Sequence, residues 1–94
     1  MREKNNMNEL NNFRNKIDEI DDNIVKLLLE RFAVVKNVGE YKKIHGLEIF
    51  QQNRESEVLN NISDKINNTK NQEYKKYILD IYEIILKTSK LSQI

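Results

Sequence analysis

One arginine occupies a position where the helical pattern of the chain calls for an apolar side chain. Apolar residues recur at alternating steps of three and four from Leu10 to Tyr41, and Arg31 falls in that register between Leu27 and Val34. A guanidinium cannot lose its proton to escape burial, so it needs an anionic partner or strong hydrogen bonds. Arg31 therefore indicates either an ion pair supplied by the protein or a binding site for an anionic ligand.

Two other cations on the same predicted helix relate differently to Arg31. Lys42 follows it by eleven residues, which leaves the two side chains only about 20° apart around the helix axis. Arg14 precedes it by seventeen residues, roughly 25 Å along the axis and about 100° around it. Arg14 cannot reach the same pocket on a straight helix, but an antiparallel partner chain could bring its own Arg14 there. We therefore expect an anion site shared between two chains.

Each of these cations also has an ordinary structural explanation. Arg14 could pair with Asp18 one turn later on the surface. Lys42 could be a solvated residue near a helix end, where cations suit the helix dipole. Arg31 could form a buried ion pair with Glu55 or another carboxylate, although such pairs seldom add net stability over apolar replacements. The ligand-binding interpretation is therefore strongest for Arg31.

Polar residues on the two later helices extend the candidate site. Arg54 and Glu55 stand at the start of the second predicted helix, and Ser89 and Gln93 lie four residues apart on the third. Both pairs also have an ordinary structural explanation. The carboxylate of Glu55 could simply suit the positive end of the helix dipole. Ser89 and Gln93 could be polar residues near a fraying C-terminus. The sequence shows no Ser-His-Asp arrangement, paired carboxylates, glycine-rich phosphate loop or metal-ligand cluster. Cations and amides suit a reaction driven by electrostatic stabilisation and restraint of an anionic substrate.

The elements that must position these residues are predicted to be all helical. Proline is absent, glycine occurs only twice, and strand-like alternation and hairpin signals are scarce. Gly46 suits a left-handed helix C-terminus, Asn53 is the expected N-cap of the second helix, and Thr69 with Gln72 resembles a capping box. The three predicted helices run from about Asn8 to about Ile44, from Arg54 to about Ile66, and from about Gln72 to Gln93.

The predicted apolar faces indicate how the helices pack. Gly39 lies inside the first predicted helix, where glycine is less favourable than alanine by about 1 kcal/mol. Its lack of a side chain suggests close approach by a neighbouring helix or ligand. The first helix is too long for the rest of the chain to cover, so we expect a dimer in which two long helices pack together. The face of the second helix comprises Glu55, Val58, Leu59, Ile62 and Ile66. That of the third comprises Tyr74, Tyr77, Ile78, Ile81 and Ile85, with Tyr77, Ile81 and Ile85 expected in the core.

Composition narrows the class of protein. The 94 residues, 1–94, are expected to form one domain, and either Met1 or Met7 could be the true start. The 16 Lys and Arg against 15 Asp and Glu leave a net charge of +1, which argues against a nucleic-acid partner. The absence of cysteine favours a reducing compartment, and a single histidine argues against a zinc site. No segment is typical of a signal peptide or a membrane span, so we expect a cytoplasmic protein without a membrane partner.

The polar positions fall into five motifs in a fixed order. They are Arg14-x-x-Ile17-Asp18-x-Ile20-Asp21, Leu27-Leu28-x-Glu30-Arg31, Val38-Gly39-x-x-Lys42, Arg54-Glu55 and Ser89-x-x-x-Gln93. Together, over about Leu10 to Gln93, they resemble the all-helical AroQ class (type II) of chorismate mutases. The resemblance implies an all-α, intertwined homodimer of three-helix chains with two sites, each built from both chains. It also implies a cofactor-free Claisen rearrangement of chorismate to prephenate, in phenylalanine and tyrosine biosynthesis.

The resemblance also implies roles for the candidate residues. Arg31 and Arg14 of the partner subunit would hold the two substrate carboxylates, for which bidentate arginine geometry is suited. Lys42 and Gln93 would donate hydrogen bonds to the ether oxygen, and Glu55 would accept one from the ring hydroxyl. Arg54 and Ser89 would add contacts near the carboxylates, and the apolar wall would comprise Val35, Val38, Ile85 and Leu86.

This chain departs from the family pattern in the loop before the second helix. Gln51 stands where many members carry an acidic residue, and Glu48 stands where many carry a proline. Because the first of these positions often acts through its backbone, we include Gln51 among the expected substrate-binding residues.

Two other functions remain open. One is a lyase of the same fold that removes pyruvate from isochorismate, for which the same cations would serve. The other is a non-catalytic helical partner that regulates another shikimate-pathway enzyme. We expect a monofunctional chorismate mutase, since the length leaves no room for a fused catalytic domain.

Overall fold

Three α-helices make up the chain in the computed structural model. The structure describes the backbone of residues 2–94 and the side chains of residues 7–51 and 53–94. The helices are α1 (Arg2–Ile44), α2 (Gln52–Asn67) and α3 (Lys75–Ser92), and a 3-10 turn, Gln72–Tyr74, leads into α3. Within the described residues there is no strand, so the all-α prediction is confirmed. The predicted ends agree within two or three residues, except that α1 begins six residues before Asn8.

The end of α1 is fixed by backbone hydrogen bonds around Gly46. Gly46 has a φ of 66°, a left-handed conformation that glycine adopts without steric cost. Its N–H donates to the Lys43 carbonyl at 3.4 Å, and the Leu47 N–H donates to the Lys42 carbonyl at 2.8 Å. This pair of bonds is a Schellman motif, and it confirms Gly46 as the predicted C-terminal cap. The motif sets the direction in which the chain leaves α1 after Ile44, within one helical turn of Lys42.

The start of α2 differs from the prediction. The N-cap is Gln51, in an extended conformation and without a side-chain cap, so the assignment of Asn53 was wrong. The Gln51 carbonyl accepts from Arg54 N at 3.0 Å and Glu55 N at 3.4 Å. The observed N-cap therefore lies two residues before Asn53, which was predicted from the preference of asparagine for N-cap positions.

The turn between α2 and α3 also uses its polar residues differently from the predicted capping box. Thr69 Oγ1 accepts from Asn71 N at 3.1 Å and donates to the Ile66 carbonyl at 2.7 Å. The Gln72 side chain donates to the Asn67 carbonyl at 3.3 Å. Thr69 therefore stabilises the end of α2, and the reciprocal Thr69–Gln72 bonds are not formed.

The chain divides into two units, Met1–Ala33 and Val34–Ile94. In the first unit the described side chains are exposed, except that Leu28 and Arg31 are half-buried. Leu28 and Arg31 lie three residues apart, on one face of the helix. Arg31 is thus partly withdrawn from solvent, whereas its neighbours in the apolar register, Leu27 and Val34, are 61% and 60% exposed.

In the second unit α2 packs against α3. The predicted α2 face is half-buried throughout, and Ile66 at its end is 7% exposed. On α3 the prediction was wrong for Tyr77 and Ile81, which are 64% and 56% exposed. The prediction failed because α3 is rotated about its axis so that a neighbouring face packs on α2. Tyr77 and Ile81 therefore lie outside the α2–α3 contact. That inward face comprises Ile78, Tyr82, Ile85, Leu86 and Ser89.

The described helices contain no stretch long and apolar enough to cross a membrane. Nor do the described residues form a group of three or more potential metal ligands.

Candidate active site

The candidate site is centred on Lys42, in the last turn of α1. Its Nζ donates to the Ile49 carbonyl at 2.7 Å and to Gln93 Oε1 at 3.2 Å. These bonds join the end of α1, the α1–α2 loop (residues 45–51) and the residue that follows α3. An ammonium group has three N–H donors, and the two bonds leave one to point at a ligand. The structure therefore brings together Lys42 and Gln93, which are 51 residues apart in sequence.

Gly39 allows Gln93 to approach this closely. A β-carbon built on Gly39 would lie 3.2 Å from Gln93 Cγ and 3.3 Å from its Cβ. Carbon atoms pack at about 3.5 to 4.0 Å, so any larger residue at position 39 would push Gln93 away. The expected close approach at Gly39 is confirmed, and the neighbour is the C-terminal end of α3.

The amide of Gln93 is held at both ends. Its Oε1 accepts from Lys42, and its Nε2 donates to the Ser89 carbonyl at 3.3 Å. An amide nitrogen carries two hydrogens, so one remains for a ligand. Lys42 and Gln93 together can therefore present one N–H each to an acceptor placed between them. This is the donor arrangement that stabilises an oxygen atom as it gains negative charge.

Ser89 is one of the most buried residues, at 6% exposure. Its Oγ donates to the Ile85 carbonyl at 2.6 Å, and its own carbonyl accepts from Ser92 Oγ at 2.7 Å. Through the bond from Gln93 Nε2, Ser89 also orients the Gln93 amide. The direct contact of Ser89 with a ligand, which the family resemblance implies, stays a prediction.

The first turn of α2 places Glu55 and Arg54 differently. Glu55 is half-buried, whereas Arg54 is exposed and its Nη1 lies 2.6 Å from Glu57 Oε1. The side chains of that pair are 63% and 60% exposed, and such exposed pairs contribute only about 0 to 1 kcal/mol. Arg54 can therefore exchange Glu57 for a ligand carboxylate at little cost. Gln51 contributes its carbonyl to this turn, and its side chain is exposed.

The remaining predicted residues fall into two groups. Val38 is 42% exposed, and the other members of the predicted apolar wall, Val35, Ile85 and Leu86, are half-buried.

Arg14 and Arg31 lie in the first unit. Arg14 is exposed, and among the described side chains it forms no ion pair with Asp18, so the surface-pair alternative is not supported. The convergence of both arginines on a substrate stays a prediction.

Sequence reasoning missed two contacts of the α1–α2 loop. One is the Ile49 carbonyl, which every residue type would offer equally and which no sequence pattern can indicate. The other is the Lys90 ammonium, which lies 4.5 Å from the centroid of the Phe50 ring. The apolar pair Ile49-Phe50 was the signal in the sequence that this segment packs.

A separate groove of about 640 Å³ lies beside the α2–α3 turn. It is lined mainly by apolar and aromatic side chains, among them Ile66, Tyr74, Tyr77 and Ile78. None of the predicted site residues lines it, so it is distinct from the site around Lys42.

Comparison with known proteins identifies one family. Residues 13–94 match the family model for chorismate mutase type II. A bifunctional chorismate mutase/prephenate dehydratase of Buchnera aphidicola subsp. Schizaphis graminum is 36% identical over 89 residues, which are 92% of this chain and 22% of that protein. A protein of the same description from Aquifex aeolicus is 41% identical over 56 residues, 60% of this chain and 16% of its own.

A chorismate mutase of Methanocaldococcus jannaschii is 41% identical over 54 residues, 57% of this chain and 54% of that protein. The matched segments thus span from about a sixth to about half of the length of these relatives. No solved structure matches the chain.

Proposed function

Because the chain belongs to the chorismate mutase type II family, we propose that it catalyses the Claisen rearrangement of chorismate to prephenate. The observation that carries the proposal is the Lys42–Gln93 pair, 3.2 Å apart, with an N–H of each group left for a common acceptor. In this reaction the ether C–O bond breaks as a C–C bond forms, and the ether oxygen gains negative charge. Donors aimed at that oxygen stabilise the transition state more than the bound substrate, which accelerates the step.

The other site residues restrain the substrate. Chorismate is a dianion with a flexible enolpyruvyl arm, and clamping both carboxylates selects the compact conformer in which the reacting carbons approach. Arg31 and the partner subunit's Arg14 bind the carboxylates, with Arg54 as a further contact. Glu55 accepts a hydrogen bond from the ring hydroxyl. The proposed mechanism uses no cofactor and no covalent intermediate.

The active form in this proposal is a homodimer. Support comes from α1, whose apolar residues from Leu10 to Leu27 are between 45% and 61% exposed in the single chain. A row of exposed apolar side chains on one helix face marks an interaction surface. A second copy, packed antiparallel along α1, covers this surface and supplies Arg14 to the opposite site. Sedimentation at micromolar concentration tests this, because a monomer contradicts it.

The wider assignment follows from the reaction. Prephenate leads to phenylalanine and tyrosine, so we place the enzyme in aromatic amino acid biosynthesis. We assign it to the cytoplasm, since a chain without cysteine makes no use of an oxidising compartment.

The test is a direct assay of the purified chain with chorismate and, separately, with isochorismate. We expect prephenate from chorismate. Lys42→Ala should lower turnover by at least about a hundredfold, the scale for removing one oriented donor. Lys43→Ala is the matched control, because Lys43 is the exposed neighbour in the same helical turn, and it should retain activity.

Three results would contradict the proposal in different ways. Pyruvate release from isochorismate without prephenate formation would identify the lyase. No turnover of either substrate at any protein concentration would favour the non-catalytic regulatory partner. An equal loss in Lys42→Ala and Lys43→Ala would show that the Lys42 site is not where the chemistry occurs.

A further inference from the structure

The α1–α2 loop is tied to the candidate site at two adjacent residues. The Ile49 carbonyl accepts the 2.7 Å hydrogen bond from Lys42 Nζ, and the next residue, Phe50, lies under the Lys90 ammonium at 4.5 Å. Backbone bonds anchor the loop at Leu47 and at Gln51. Any movement of the segment between these two residues therefore moves the acceptor of Lys42.

Lys90 is well placed to hold the middle of this loop. It lies on α3 directly after the buried Ser89 and is itself half-buried, whereas the Phe50 ring is 44% exposed. Burial therefore does little to hold the Phe50 ring in one position. The attraction between an ammonium and the face of an aromatic ring supplies a directed contact instead.

We propose that Lys90 is a positioning residue: by binding the Phe50 ring it fixes the α1–α2 loop, so that the Ile49 carbonyl orients the Lys42 ammonium. Its effect on turnover rests on the proposed function, whereas its effect on the loop does not. Lys42 has two protein acceptors, Ile49 O and Gln93 Oε1, and these define where its third N–H points. If Ile49 moves, Lys42 keeps one acceptor and its ammonium can rotate away from the substrate oxygen.

The experiment compares four variants with the wild-type protein. Lys90→Met removes the charge and keeps the length, Phe50→Leu removes the ring and keeps the lysine, and Lys90→Arg keeps a cation that binds aromatic faces. Lys87→Met is the matched control, because it removes an exposed lysine one turn earlier on α3. Circular dichroism checks that every variant keeps its helical content.

Two measurements are made on each variant. The first is backbone ¹⁵N relaxation of residues 47–50 without ligand. The second is the separate determination of kcat and KM with chorismate. We expect Lys90→Met and Phe50→Leu each to mobilise the loop and to lower kcat by about two- to fivefold, as the strength of an exposed cation–π contact implies, with KM little changed. Lys90→Arg and Lys87→Met should match the wild type.

The double variant Lys90→Met/Phe50→Leu sharpens the test. Because both changes remove the same Lys90–Phe50 contact, the double variant should lose no more kcat and no more loop order than either single variant. A merely charge-based role of Lys90 in attracting the substrate would spare Phe50→Leu and raise KM, and that result overturns the proposal. So does an unchanged loop in Lys90→Met, or an equal effect of Lys87→Met.

The outcome for the wild type separates the two proposals. If it does not convert chorismate, the proposed function has failed, and the relaxation data alone decide whether Lys90 fixes the loop. If it is active and Lys90→Met leaves either kcat or loop mobility unchanged, the positioning role is wrong and the proposed function stands.

Discussion

Substituting Gly39 by alanine separates the stability of this chain from its activity. In a helix interior alanine is more favourable than glycine by about 1 kcal/mol, and Gly39 lies within α1. The added β-carbon meets Gln93 Cγ at 3.2 Å and Cβ at 3.3 Å, whereas Gln93 Cα, at 3.7 Å, is at ordinary contact distance. The clash thus falls on the side chain of Gln93 and not on its backbone.

The expected structural response is a small displacement of the Gln93 side chain. A shift of a few tenths of an ångström restores normal contact, and Gln93 is half-buried at the end of α3, where it can give way. The free energy of unfolding should therefore stay equal or rise by up to about 1 kcal/mol. A misplacement of 1 Å in a catalytic group costs about a hundredfold in rate, so a smaller shift of this donor should lower kcat by about tenfold.

The assay combines urea unfolding with steady-state turnover of chorismate. Asn37→Ala is the control, because it adds an alanine at an exposed position of α1, about 200° around the helix axis from Gly39. It should gain stability and keep its activity. If Gly39→Ala gains stability and keeps full activity, the position of Gln93 does not matter and the reasoning is refuted. A loss of several kcal/mol would show instead that the contact is rigid and that Gly39 serves packing alone.

Two further predictions concern the shared site and the second donor. Mixing inactive Arg14→Ala and Arg31→Ala chains should restore up to about a quarter of the wild-type activity, since half the dimers are mixed and each holds one intact site; no recovery after subunit exchange would mean that both arginines act within one chain. Gln93→Glu should be inactive at neutral pH, where its carboxylate would repel the ether oxygen, and should regain activity as the pH falls towards the range in which a carboxyl group is protonated, near 4.3 for a free glutamate. A flat pH profile of this variant would show that residue 93 does not face the developing charge.

Local sequence patterns predicted most of the fold. The steps of three and four indicated three helices, and Gly46 indicated the break after α1, because helix periodicity and glycine conformation depend on a few neighbouring residues. Rotation about a helix was harder to predict. The face of α3 assigned to the core was wrong at Tyr77 and Ile81, since a broad apolar face does not by itself define which side packs on α2.

The candidate site was predicted by residue type and only in part by arrangement. Lys42, Gln93 and Gly39 were all singled out, and the structure brings them together at the end of α1. The bonds of Arg54 and Ser89 were not predicted, because Arg54 pairs with the nearby Glu57 and the Ser89 hydroxyl bonds within its own helix. A serine hydroxyl finds a backbone acceptor in any helix, and an arginine can reach a carboxylate one turn away, so residue type alone does not decide where these side chains point.

By itself the sequence determined the helices, their principal break and the set of charged and amide side chains that suit an anionic substrate. These properties follow from residue type and from a fixed rotation of about 100° per residue. Only the tertiary structure decided that Gln93 meets Lys42 across 51 residues, that Gly39 makes room for it, and that Ile49 and Phe50 connect the loop to Lys42 and Lys90. The physical reason is twofold. The contacts of Gln93 depend on how α3 packs, and the bond to Ile49 uses a backbone carbonyl, which every residue carries and no sequence pattern distinguishes.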